Sequence, residues 1–137
     1  MTIEGALLAK LTGAAGLAAL VGARVYALEA KQGDALPLVT FQRISSERFH
    51  NWGADAGVRG ERWQFDAWGR TYDEACDVAE QIEAALSRFS GTADSTVIQD
   101  ILFESDTDTR DGEARPSGTT DTGGWRRMLE AEVFYEG

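Results

Sequence analysis

The side chains able to do chemistry are few, and their spacing speaks against catalysis. The chain has one cysteine, Cys76, and one histidine, His50. A thiolate nucleophile needs a base at hydrogen-bond distance. His50 falls in a loop-like connection, ERFHNWGADAGVR, whereas Cys76 falls on the apolar stripe of a helix-patterned segment. Cys76 therefore reads as a small buried hydrophobe. One Cys and one His cannot furnish a zinc site, and a lone cysteine forms no intrachain disulfide. The sequence holds no G-x-x-x-x-G-K-S/T phosphate loop, no G-x-G-x-x-G turn and no G-x-S-x-G nucleophile elbow.

Carboxylates are the abundant chemical group. Asp106, Asp108, Asp111 and Glu113 cluster in DTDTRDGE. An EF-hand would need ligands at loop positions 1, 3 and 5, a terminal glutamate at about position 12, and a helix on each side. Here the flanking patterns are strands, so the run reads as a solvated acidic loop. From 106 to 124 the chain (DTDTRDGEARPSGTTDTGG) has no apolar residue larger than Ala or Pro, so it is expected to be a mobile loop. Asp66 lies on a strand that also carries core aromatics. A general acid needs a cleft and a perturbed pKa, so Asp66 reads instead as a cross-strand partner for an arginine such as Arg43 or Arg127. No catalytic residue, cofactor or metal is expected.

The elements that position these groups follow from periodicity. The clearest stretch is Gly60 to Phe89. Trp63, Phe65 and Ala67 alternate with Arg62, Gln64 and Asp66, the period of a strand with unlike faces. Thr71 and Glu74 have the spacing of a capping box. Tyr72, Ala75, Cys76, Ala79, Ile82, Leu86 and Phe89 then fall on one face of a helix over 71–89, with Gly91 as its stop. Leu38 to Ser46 reads as a strand paired antiparallel to Gly60–Trp68, with 47–59 a long connection or flap. Val97–Ser105 and Trp125–Tyr135 read as two more strands. Leu129, Ala131, Val133 and Tyr135 share one face of the last strand, and Met128, Glu130, Glu132 and Phe134 the other. The N-terminal stretch GALLAKLTGAAGLAALVGA reads as two short helices around a Gly-containing turn. Glu4, Lys10, Gly13 and Gly16 interrupt it, so it fits neither a signal peptide nor a membrane span. Use in the cytoplasm, or in an assembly built there, is expected. The expected fold is a single α+β domain over 1–137. It has a mostly antiparallel four-stranded sheet from two hairpins, one main amphipathic helix packed on it, and N-terminal short helices.

Charge bounds the partners. The net charge is −10 and the pI near 4.5, which argues against gripping nucleic acid by its phosphates. An acidic surface suits a conduit that DNA passes without specific binding. Aromatics in the long connection and on the strand faces opposite the core suggest contacts with protein. Arg48, Phe49, Trp52, Trp68 and Phe134 are candidate subunit or partner contacts, because interfaces enrich aromatics and Arg. The alternative is that the N-terminal helices cover some of them.

Several segments together carry a family resemblance. They are LLAKLTGAAGLAALVGARVYAL, LPLVTFQRIS, RWQFDAWGRTYDEACDVAEQIEAAL and the closing LEAEVFYEG. In order and spacing the chain resembles the phage tail completion, or tail terminator, proteins of long-tailed phages and gene transfer particles, over roughly residues 3–135. The resemblance implies a non-enzymatic virion protein. Such subunits form a homo-oligomeric ring, typically a hexamer, that caps the completed tail tube at the head–tail junction. The implied partners are the tail tube protein and the head connector or stopper, with DNA passing through the channel and no membrane involved. Asp106, Asp108, Asp111 and Glu113 become candidates for a loop that faces the lumen or a partner. A head-side neck protein (stopper or adaptor) is the nearest alternative. A small-ligand-binding α+β domain would instead show a pocket between helix and sheet, and a hydrolase would work through Asp66 and His50.

Overall fold

The computed structural model describes residues 3–27, 36–51, 54–93, 96–110 and 125–136, with the strand ends 46–51, 54–58 and 105–110 described as backbone. Three helices and six strands follow in the order α1 (Ile3–Thr12), α2 (Ala15–Val21), β1 (Val25–Ala27), β2 (Leu38–Asn51), β3 (Ala54–Gly69), α3 (Tyr72–Leu86), β4 (Gly91–Ala93), β5 (Thr96–Arg110) and β6 (Trp125–Glu136). The α+β class is as expected, but the sheet is larger and mixed. Its order is β1-β2-β3-β6-β5-β4. The two hairpins, β2–β3 and β5–β6, join through the antiparallel β3–β6 pair. The expected four-stranded sheet is therefore its centre. A parallel β1 and an antiparallel β4 are added at the two edges.

The helices cover one face. Val39, Phe41, Trp63, Phe65, Ala67, Leu129, Ala131 and Val133 form one core with Leu7, Leu11, Leu17, Val21, Val78, Ala79, Ile82 and Leu86. The alternation read from the sequence thus points the right residues inward. No single helix among the described residues is long and apolar enough to cross a membrane, and the apolar sides of α1 and α2 are spent on this core.

Helix α3 starts as its capping residues dictate. The Thr71 hydroxyl accepts from the Glu74 amide at 3.1 Å. The Glu74 carboxylate reaches back to the Arg70 amide at 2.8 Å and clasps the Arg70 guanidinium at 3.1 Å. That contact lies one residue before the usual partner of the box. The stop differs from expectation. The helix ends at Leu86, and the left-handed residue is Arg88 (φ 59°), whose amide donates to Ile101 O at 2.8 Å. Gly91 instead opens β4, opposite Ile98. A backbone bond to the sheet thus supports a conformation that glycine would adopt more readily.

Both hairpins are longer than their apolar patterns. The segment 47–59, expected as a flap, continues the ladder, with Arg48 opposite Arg59, His50 opposite Asp55 and Asn51 opposite Ala54. The expected loop 106–124 likewise begins as strand, since Asp106 to Arg110 pair with Leu129 to Trp125. Its remainder, from 111 to 124, lies outside the described residues. Backbone hydrogen bonding, which needs no apolar side chain, carries the strands past the core.

Candidate assembly surface

Among the described residues no helix packs on the second face of the sheet, and a cluster of charged side chains lies at its centre. Arg62 stands at its centre with three carboxylates: Glu104 at 3.2 Å, Glu130 at 3.2 Å and Glu132 at 3.5 Å. All four are about one-third exposed, so the cluster is a screened surface network of modest worth. Glu104 joins it because a register shift between Phe103 and Ser105 sets it out of the ladder. Three acids around one base leave this cluster acidic.

Asp66 lies on the same face but is buried, 6% exposed. Burial lifts its carboxyl above the ordinary value, opposed by a hydrogen bond from Gln64 (3.1 Å), the nearby Arg126 charge and Thr40. Its arginine is thus Arg126, neither of those expected. Arg43 is on the helix side, paired with Glu4 and Glu61. Arg127 donates to the half-buried Cys76 Sγ at 3.3 Å. Cys76 is therefore at the helix–sheet boundary, as its place on the stripe implied, though less enclosed than expected.

Trp68 corrects an expectation. It is only 5% exposed, clustered with Leu36, Leu38 and Tyr26. Its indole N–H donates to Thr40 at 3.0 Å and the Arg126 guanidinium lies over its ring at 5.3 Å. Its own chain covers it, through the strands and the segment before β2, and not through the N-terminal helices. Phe134 is half-buried on β6, on the open face. Arg48 and Phe49 are on β2, and Asp106 and Asp108 on β5. Trp52, Asp111 and Glu113 lie outside the described residues. The ladder also separates the hydrolase pair. His50 sits opposite Asp55, whereas Asp66 sits opposite Thr40. At about 3.3 Å per residue that puts them roughly 35 Å apart along β3.

Sequence reasoning passed over Glu61. Its side chain is fully buried on the helix face. It accepts from the Trp63 indole at 3.0 Å and the Tyr135 hydroxyl at 2.9 Å, and pairs with Arg43 at 3.2 Å. Arg43 also holds Glu4 of α1 at 2.8 Å, so the chain Glu4–Arg43–Glu61 ties α1 to the sheet. Burial, with the Glu61 carboxylate as a further contributor, raises the Tyr135 phenol above its usual value. The signal was present: Glu61 shares the alternation of Trp63, Phe65 and Ala67, a carboxylate on an otherwise apolar face. Beside it, Glu4, Ala27, Phe41, Gln42, Arg43 and Trp63 line a cleft of about 230 Å³ between α1 and the sheet edge. That is below the usual range of ligand pockets, about 300–1,000 Å³, and its two charged groups, Glu4 and Arg43, are paired with each other.

Comparison with known proteins adds two findings. Residues 5–120 match the family model described as tail completion protein gp17. The fold is similar to a chain in the solved structure titled "Virion of native gene transfer agent (GTA) particle", with a TM-score of 0.73 at 16% identity, covering 98% of this chain and 95% of that one. No curated protein matches by sequence.

Proposed function

The chain belongs to the tail completion protein gp17 family, and from that premise we propose that it forms a ring, hexameric in the complete particle, that caps the finished tail tube and joins it to the head connector. Its family is one of structural phage tail proteins and not a class of enzymes, so the chain is a structural component of a virion tail. The family match over residues 5–120 carries the proposal.

The geometry supports the finer reading. A ring around DNA needs a wall that does not hold the duplex. The open face, with Arg62 ringed by Glu104, Glu130 and Glu132, is such a wall in a chain of net charge −10. Facing this surface to the channel leaves the helices outward. Arg48, Phe49 and Trp52 on and beside the β2–β3 hairpin, with Phe134, are the proposed partner contacts. Trp68 is left out because its own chain covers it. Asp106 and Asp108 at the end of β5, with Asp111 and Glu113 that follow in sequence, remain the proposed channel- or partner-facing acids. The proposed position is the head–tail junction, after assembly in the host cytoplasm.

Particles made without this protein test the role. A cap predicts tails that grow past normal length and heads that stay unjoined. Tails of normal length that merely fail to join heads would overturn the cap and favour a head-side stopper or adaptor.

A further inference from the structure

We infer that ring neighbours join by antiparallel strand pairing, the free edge of β2 in one copy lying along the free edge of β5 in the next. The inference rests on the ring reading and specifies its subunit contact. Among the described residues, β1 covers β2 only at Val39–Phe41, and β4 covers β5 only at Thr96–Ile98. Residues 42–51 of β2 and 99–110 of β5 are left as sheet edges, two segments of similar length. Open edges present unpaired backbone donors and acceptors and are templates for another strand.

The two edges fit each other in direction. β2 is antiparallel to β3, β3 to β6, and β6 to β5, so β2 and β5 run oppositely. Repeating the molecule head to tail therefore continues the sheet with an antiparallel pair. They also fit in stagger. The row of Val39 holds Ala67 and Arg127, near one end of the sheet, and the row of Ile98 holds Tyr135 and Arg59, near the other. β1 and β4 thus block opposite ends of opposite edges. A neighbour shifted along the strands until its β5 clears β1 brings its β4 clear of β2, and the two short strands act as stops. A shear between strands is what a closed barrel of strands requires.

Charge selects this pairing over a two-fold one. Segment 42–51 carries Arg43 and Arg48 against a single acid, Glu47, in a strongly acidic chain. Segment 99–110 carries Asp100, Glu104, Asp106 and Asp108 against a single base, Arg110. Arg43, Asp100 and Glu104 have partners within the chain, and pairing the two edges brings the stretch of Arg48 alongside that of Asp106 and Asp108. Joining β5 to β5 would oppose acids, and cross-strand like charges destabilise. Bulges can blunt an edge, but here the register shifts leave Ser45–Arg48 and Ser105–Arg110 unbroken. Ile44, at the shift itself, is 46% exposed beside the first run.

With the stops in contact, Ser46 lies near Ser105 of the neighbour. In one copy these positions are separated by β3 and β6, about 14 Å at the usual strand spacing, too far for an internal disulfide. The test uses a Cys76→Ala chain carrying Ser46→Cys, with a second cysteine placed in turn at 104, 105, 106, 107 and 108. Particle size is measured by light scattering before oxidation. Intermolecular disulfides are expected at alternate positions of the five, at least tenfold above their neighbours, because adjacent residues of a strand face opposite ways. Ring-sized particles with equal or absent cross-linking at all five overturn the strand pairing and leave the ring reading standing. Monomers without cross-links overturn both.

Discussion

On β3, Glu61, Trp63, Phe65 and Ala67 turn toward the helices, while Arg62, Gln64, Asp66 and Trp68 turn away, and the two sets obey different rules. The first set is buried against side chains of all three helices, so its shape complementarity holds the fold together. The second holds two buried side chains, Asp66 and Trp68, and two half-exposed ones, Arg62 and Gln64, which can change without unfolding the chain. A strand that alternates in this way gives a scaffold on one side and a surface free to meet the particle on the other.

The sharpest way to break this contrast is Trp63→Ala. It removes a fully buried ring that packs on Phe41 at 5.9 Å, and should cost about 3–5 kcal/mol in denaturant unfolding. A loss below about 1 kcal/mol would mean the helix face is not the stabilising one. Glu61→Ala comes next. It leaves the Trp63 indole and Tyr135 hydroxyl without their acceptor and should cost about 2 kcal/mol. Its destabilisation should appear in thermal unfolding together with faster hydrogen exchange in α1, which Arg43 would hold less firmly.

The third variant concerns the buried acid of the open face. Burial raises the Asp66 carboxyl above its ordinary value of 3.8, so the fold favours the neutral form. That contribution is full below the unfolded value and is lost as pH rises through the folded one. Asp66→Asn should therefore raise the melting temperature at pH 7, with the gain shrinking toward pH 4. A gain that grows on acidification would reverse the assignment. Glu74, held down first by its hydrogen bond from Arg70, contributes oppositely: its share is present above its ordinary 4.5 and lost as pH falls through the lowered folded value. The smallest effect is expected from Arg62→Ala, within about 0.5 kcal/mol in stability. A loss above 2 kcal/mol would show that the open face is structural after all.

The same contrast explains what was legible in the sequence. Trp63, Phe65, Ala67, Leu129, Ala131 and Val133 announced their strands because one face is buried and the other is not. Thr71 and Glu74 announced the start of α3 because capping is local. Where no apolar pattern exists, nothing marked the strand: 47–51, 54–59 and 106–110 are held by ladder bonds between polar residues. β1 and β4 span only Val25–Ala27 and Gly91–Ala93, too short for a period, and the parallel partner of β1 is fixed by chain path and not by local sequence. Trp68 misled for a related reason. Alternation placed it on the outer face, but not the Tyr26, Leu36, Leu38 and Arg126 that cover it there. The candidate surface was legible as a charge balance and a set of aromatics, whereas its free edges appear only once the strand order is known.

Electron microscopy of purified tail tubes incubated with the purified protein is the most direct test of a ring-forming cap. A closed ring of this subunit seated on one end of each tube, and tubes that no longer elongate when tube protein is added, are the expected result. Bare tube ends that continue to grow, with the protein remaining monomeric in the same mixture, would contradict it.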